Sequence, residues 1–289
     1  MGMLIQNFIL TRFNLLLWNK DKEGKKVRSA SWLEHRFELF ERYCLPSIIG
    51  QTCQEFTWIV LFDSTTPETF KEKIGEYQKR CTQLVPVYVR PESGRFFVQI
   101  FRDEVVKRLN DNHNDNDNDN EKRVITTYLD NDDAMNVRFV EDIQKRAAKV
   151  SDGTFITYDS GYQYFTDYNY VMRIHFPRNH FMSVVEKADN ALKTIYGYGS
   201  HYYIEKIEGV RIEHVKSLPM WCEVIHEKNM GNDAYFLRAK MVKGPEGFGF
   251  MFQDSGFKFG IGVYLFRFLP RYFKTFIRRI RYKLFGRHW

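Results

Sequence analysis

Residues Arg123–Asp133 read Arg-Val-Ile-Thr-Thr-Tyr-Leu-Asp-Asn-Asp-Asp, and the chain is organised around them. The β-branched and aromatic run Val124–Leu129 has the character of a buried strand. It ends abruptly in Asp130, Asp132 and Asp133. Three carboxylates cannot sit unpaired in a core, because an isolated buried charge is too costly. They are therefore expected to face water, a cation or a substrate. In open α/β sheets the ligand crevice lies outside the carboxyl ends of the strands. Asp130 and Asp132 are two residues apart, so on an extended backbone they lean the same way. Together they suit one hard divalent ion, which keeps further positions for water or phosphate oxygens. A solvated acidic turn capping the next helix is the simpler alternative.

The flanking sequence supplies the rest of a sheet. Ile5–Leu10 reads as a first strand that ends in Thr11-Arg12-Phe13-Asn14. Residues 18–30 form a Lys-rich loop. A helix is expected from Ser31, with Glu34 three positions on as in a capping box. Leu33, Phe37, Phe40, Cys44 and Ile48 follow at helical spacing, and Pro46 kinks or splits the helix near its end. Phe56–Phe62 is a second strand, followed by Asp63, and Pro67 suits a helix start. That helix runs to about Arg80. Leu84–Val89 is a third strand, and a helix spans roughly Arg95 to Leu109. Val124–Leu129 is then the fourth strand.

This alternation of strand and helix predicts an α/β, Rossmann-like, mostly parallel sheet with helices on both faces. Its carboxyl edge gathers Arg12, Asn14, Asp63 and Asp130–Asp133. Further on, a helix covers Val137–Lys149, and Gly153–Tyr158 is a strand ending in Asp159. The aromatic, turn-rich segment 160–200 holds short strands such as Tyr170–His175 and His180–Val185. Its rings are either core or an acceptor surface. Trp221, Glu223 and His226 fall within six residues, as a half-buried strand or as part of a site. Asp111–Glu121 alternates Asn and Asp without the central Gly of a calcium loop, and reads as a surface insertion.

Charge is unevenly placed. The net value is +7, yet residues 264–289 hold eight Lys and Arg and no acid, leaving 35 basic and 36 acidic residues elsewhere. A near-neutral body argues against nucleic acid as a partner, since its binders show a basic face on the folded domain. In the tail, Leu265, Leu269, Tyr272, Phe273, Phe276, Ile277 and Ile280 share one helical face, and Arg267, Arg271, Lys274, Arg278 and Arg281 share the opposite one. That is the pattern of an interfacial helix on an anionic membrane surface. The alternative is a helix packed on the main domain. The four cysteines form no Cys-x-x-Cys pair, and no signal peptide or membrane-spanning run is seen, so the expected location is cytoplasmic, peripheral on the inner face of the membrane. The domain reading is 1–255 for the α/β body, with 110–121 inserted, and 256–289 for the basic amphipathic tail.

Taken together, the four strands and their ends resemble a GT-A glycosyltransferase of the family 2 type. Asp63-Ser-Thr-Thr resembles that family's Asp-Asp-Gly-Ser, and Leu129-Asp-Asn-Asp-Asp-Ala resembles its Leu-Asp-x-Asp-Asp motif. Thr11–Asn14, Pro46-Ser47-Ile48 with Gln51-Thr52, Phe56-Thr57-Trp58, and Trp221 with Val224-Ile225-His226 and Asn229 resemble a bacterial rhamnosyltransferase family. The resemblance implies a nucleotide-sugar donor, a glycan or lipid-linked acceptor in surface polysaccharide synthesis, and Mn²⁺ or Mg²⁺ as cofactor. It further implies that Arg12, Asn14, Asp63 and Asp130 line the nucleotide, with Arg95 offsetting diphosphate charge. Asp132 and His226 would hold the ion, and Asp133 and Trp221 would meet the sugar or acceptor. An inverting transfer needs a base for the acceptor hydroxyl. Glu223 is the first choice for it and Asp159 the second. A nucleotidyltransferase would show an early Gly-rich phosphate loop, which residues 11–30 lack. A membrane-associated binding module would need no nucleotide affinity at Asp132.

Overall fold

The N-terminal half folds as alternation demands. Strands β1 (Leu4–Arg12), β2 (Thr57–Asp63), β3 (Leu84–Val89) and β4 (Lys122–Tyr128) lie parallel in the order β4-β1-β2-β3. Between them run α1 (Ala30–Leu39), α2 (Leu45–Ile49), α3 (Glu68–Arg80) and α4 (Phe97–Asp111). Successive strand residues point to opposite faces. On one face Ile9, Trp58, Val60 and Ile125 pack with Phe37, Phe40, Cys44, Ile48 and Tyr77. On the other, Phe8, Leu10, Ile59, Leu61 and Val124 pack with Phe101 and Val105 of α4. A strand buried on both sides reads as an unbroken apolar run, which is what Trp58–Phe62 is. This computed structural model describes residues 4–17, 29–111, 122–226, 239–241 and 246–252, with single positions at 262, 265, 269, 270, 273, 276, 277 and 280. The Lys-rich loop over 18–28, the Asn/Asp tract over 112–121, Asn229 and most of the basic tail lie outside the described residues.

Two local expectations are corrected. The cap of α1 is Ser29, whose Oγ accepts from Trp32 N at 3.2 Å, and not Ser31. Either serine can cap, and the earlier one takes in another half turn of helix. At the other correction, Arg95 lies in a 3₁₀ turn, Pro91–Phe96, ahead of α4. Pro46 acts as anticipated. It lacks an N–H and its ring crowds the carbonyl four residues back. A five-residue π segment, Phe40–Cys44, takes up the misfit between α1 and α2.

The C-terminal half extends the sheet and adds a second one. Its elements are β5 (Ala134–Met135), α5 (Phe139–Ala147), β6 (Thr154–Tyr158), β7 (Ser160–Phe165), β8 (Tyr170–His175), β9 (Ser183–Lys187), β10 (Arg211–Val215), β11 (Trp221–Ile225) and β12 (Ala239–Met241). Among the described residues the main sheet runs β10-β6-β9-β4-β1-β2-β3, with β9 antiparallel to both of its neighbours. The second sheet runs β12-β8-β7-β11-β5. Tyr164, Phe165 and Tyr170 are buried in it, so these rings are core and not an acceptor surface.

The acidic turn joins the two sheets. β4 ends just before Asp130, and β5 begins just after Asp133. β5 then pairs antiparallel with β11, Trp221 opposite Met135 and Cys222 opposite Ala134. This pairing carries Glu223 and His226, some ninety residues later, to the carboxyl edge of the main sheet. No helix among the described residues is long and apolar enough to cross a membrane.

Candidate functional site

Each carboxylate of the turn has its own partner. Asp130 Oδ1 accepts from the Tyr128 hydroxyl at 2.7 Å, and Tyr128 in turn accepts from Arg12 Nη2 at 3.0 Å. The Arg12 guanidinium is boxed by Phe97, Tyr196 and Tyr128, at 4.7, 5.2 and 5.7 Å from the ring centres. Asp132 Oδ2 meets Arg36 Nη1 at 2.6 Å and His226 Nε2 at 3.0 Å. His226 also lies 3.4 Å from His35. Asp133 Oδ2 meets His180 Nε2 at 2.8 Å, and its Oδ1 accepts the backbone N–H of Val224, also at 2.8 Å.

Two of these carboxylates are closed off from bulk water. Asp132 is 6% exposed and Asp133 only 1%. Burial is tolerated because each is paired and hydrogen-bonded. Burial alone would raise Asp132, but Arg36 and then His226 hold it well below the usual carboxylate range. Burial, with Asp132 and Asp130 nearby, pushes Asp133 up against the pull of His180. Asp133 outweighs burial at His180 and raises it above the ordinary imidazole range.

The donor atoms that converge are those of Asp130, Asp133 and His180, all within 4.8 Å of one another. The pair expected from sequence, Asp132 and His226, also comes together, but in direct contact and with Arg36 on the same oxygen. Glu223 projects from β11 beside this cluster. It is buried and accepts from Gln163 Nε2 at 2.5 Å. Burial raises its pKa, opposed by His180 and Gln163 and helped by Asp132 and Asp130.

The strand ends beside the cluster hold two further expected residues. Asn14 Oδ1 accepts Asp63 N–H at 3.0 Å, and Asp63 Oδ1 accepts Thr65 N–H at 2.8 Å, so both are buried in a closed turn. Asp159 follows β6 directly, and its Oδ1 lies 2.9 Å from His214 Nδ1. Two residues depart from their expected surroundings. Arg95 is exposed, stacked 4.6 Å from the Phe96 ring. Trp221 is 1% exposed, with its N–H donated to Tyr158 O at 2.7 Å and its ring stacked on Phe181. It offers no open face to a sugar, because β11 lies inside the second sheet.

Sequence reasoning passed over His35, Arg36 and His180. The first two look like the solvent side of an amphipathic helix, and His180 like the first residue of a strand. The available signal was position: α1 follows a strand whose carboxyl end carries Arg12 and Asn14.

The mostly parallel sheet with helices on both faces and an acidic turn at its carboxyl edge is the α/β arrangement expected from the sequence. The family model described as "Putative rhamnosyl transferase" matches residues 7–236, and the chain belongs to that family. No curated protein matches the chain. Among solved structures, S. aureus TarS 1-349 is similar at 11% identity over 76% of this chain and 60% of that one, with a TM-score of 0.40. The same fragment in complex with UDP gives 10%, 77%, 61% and 0.42. S. aureus TarS itself gives 10%, 77%, 37% and 0.38. This chain thus spans about three-fifths of the length of the TarS 1-349 fragment.

Proposed function

We propose that the protein is a metal-dependent, inverting glycosyltransferase that moves a sugar from a nucleotide-diphosphate donor to a glycan or lipid-linked acceptor. The convergence of Asp130, Asp133 and His180 beside Glu223 carries this reading. Two carboxylates and one imidazole are a donor set that suits Mn²⁺, and Mg²⁺ with more retained water. When bound, such an ion supplies Lewis-acid neutralisation of the leaving diphosphate. Asp132 and His226 brace the turn from the α1 side. Arg12, at the end of β1, faces the nucleotide side, and the closed turn of Asn14 and Asp63 supports it from behind.

Glu223 takes the proton of the acceptor hydroxyl. A carboxylate raised by burial is a better base near neutral pH than a solvated one. Asp159, oriented by His214, is the second candidate. Family membership favours a rhamnosyl donor such as dTDP-rhamnose. The UDP complex of TarS makes UDP-sugars the next donors to try. The basic tail holds the enzyme on the anionic inner face of the membrane, where a lipid-linked acceptor resides. Exposure of Leu265, Phe273, Phe276, Ile277 and Ile280 supports this.

The test is release of nucleotide from dTDP-rhamnose and UDP-sugars, with Mn²⁺ and with EDTA. Metal-dependent release that Glu223→Gln suppresses is expected. No release from any donor, or near-normal turnover by Glu223→Gln, would refute the reaction or the base respectively. Loss of anionic-vesicle binding on truncation after Gly262 tests the tail.

A further inference from the structure

α1 lies between β1 and β2, far in sequence from the acidic turn, yet it delivers Arg36 to Asp132 at 2.6 Å. That contact is made through Nη1, and a guanidinium carries five N–H donors in all. The guanidinium is held from two directions. Trp32, one turn earlier, lies with its ring 5.5 Å from the guanidinium carbon. Asp132 is itself fixed, since His226 shares the same carboxylate oxygen at 3.0 Å. The Arg36 side chain is nevertheless 18% exposed, so the group is oriented without being sealed.

Charge balance says what an oriented, accessible guanidinium can meet here. The turn already carries Asp130, Asp132 and Asp133, with Glu223 close by. A divalent ion held by Asp130, Asp133 and a neutral His180, even with Arg12 beside Asp130 through Tyr128, does not offset these together with an incoming diphosphate. Arg36 approaches through Asp132, while the converging donors are Asp130, Asp133 and His180. A planar fork fits phosphate oxygens in a way that a point charge does not.

We propose that Arg36 contacts the diphosphate of the donor directly and makes the site selective for nucleoside diphosphates over monophosphates. The inference rests on the transferase reading above. It goes beyond a structural ion pair, which would hold the turn together but would not sense the number of phosphates.

The test is calorimetric titration of the full chain, in Mn²⁺, with UDP, dTDP, UMP, dTMP and inorganic pyrophosphate. Wild type, Arg36→Met and Arg36→Lys are compared, with thermal unfolding as the check on folding. Arg36→Met is expected to weaken UDP or dTDP and pyrophosphate roughly ten- to hundredfold, the scale of hydrogen bonds to a charged group, and to leave monophosphates nearly unchanged. Arg36→Lys keeps the charge on Asp132 but loses the fork, and falls between. Should Arg36→Met fail to fold, Arg36→Met with Asp132→Asn removes the unpaired charge and is read the same way. Equal losses for mono- and diphosphates, or no loss, overturn the inference and leave the transferase reading standing. Wild type that binds no nucleotide and no pyrophosphate overturns both.

Discussion

Gly161→Ala is the substitution whose cost follows most directly from geometry. A Cβ at this position would lie 2.1 Å from Trp221 Cδ2 and 2.3 Å from Cε2 and Cε3. Non-bonded carbons rest at about 3.5–4.0 Å. The indole must therefore retreat by more than ~1 Å. Phe181 stacks on it with centroids 5.0 Å apart, and Tyr158 O holds its N–H at 2.7 Å. Overpacking of this kind costs about 1–3 kcal/mol. Losing the buried indole hydrogen bond costs about 1–3 kcal/mol more. The expected loss is therefore about 2–6 kcal/mol, which lowers the melting midpoint by roughly 10 °C at about 2–4 °C per kcal/mol. Thermal unfolding followed by circular dichroism measures it. Adding Trp221→Phe should return part of the loss, because the two sites share one contact. A midpoint within about 2 °C of wild type would refute the packing argument. It would also reopen the case for Trp221 as a mobile ring that meets sugar.

Three further outcomes are expected. Asn7 is 3% exposed on β1 with neither amide atom hydrogen-bonded, so Asn7→Leu should gain about 1–2 kcal/mol in urea unfolding, and a loss of stability would contradict this. Thr194 sits at φ 63° and ψ 164°, a region nearly confined to glycine, so Thr194→Gly should gain about 1 kcal/mol by the same assay, and a loss would show that the conformation is not strained. Burial, with His180 nearby, pulls His201 down to about 3 from an ordinary 6.5. The unfolded chain takes up that proton first as pH falls, so the contribution is full above about pH 6.5 and is lost toward pH 3. His201→Gln should flatten that part of the stability–pH profile, and an unchanged slope would contradict the assignment.

Much of the fold is legible locally. The run Leu84–Val89 is a strand over the residues read from sequence, because polar Gln83 and Arg90 bound it on both sides. Tyr170–His175 is equally plain. The insertion of β9 between β4 and β6 is not, because pairing partners leave no trace in a strand's own periodicity. The same division holds at the site. Three aspartates after an apolar run announce themselves. His180 and Arg36 do not, since each becomes a partner of the turn only through packing between distant elements. The burial of Trp221 is hidden from the sequence for a related reason. A tryptophan beside an acid and a histidine suggests a sugar platform, but the alternation of β11 turns its ring into the core, over Gly161.

The most direct test of the site is the paramagnetic resonance spectrum of Mn²⁺ titrated with wild-type protein and with Asp130→Asn, Asp133→Asn, His180→Ala and His226→Ala. The account predicts a bound-ion signal that the Asp130, Asp133 and His180 variants lose and the His226 variant retains. A signal that survives His180→Ala but disappears in His226→Ala would contradict it, and would place the ion at Asp132 and His226.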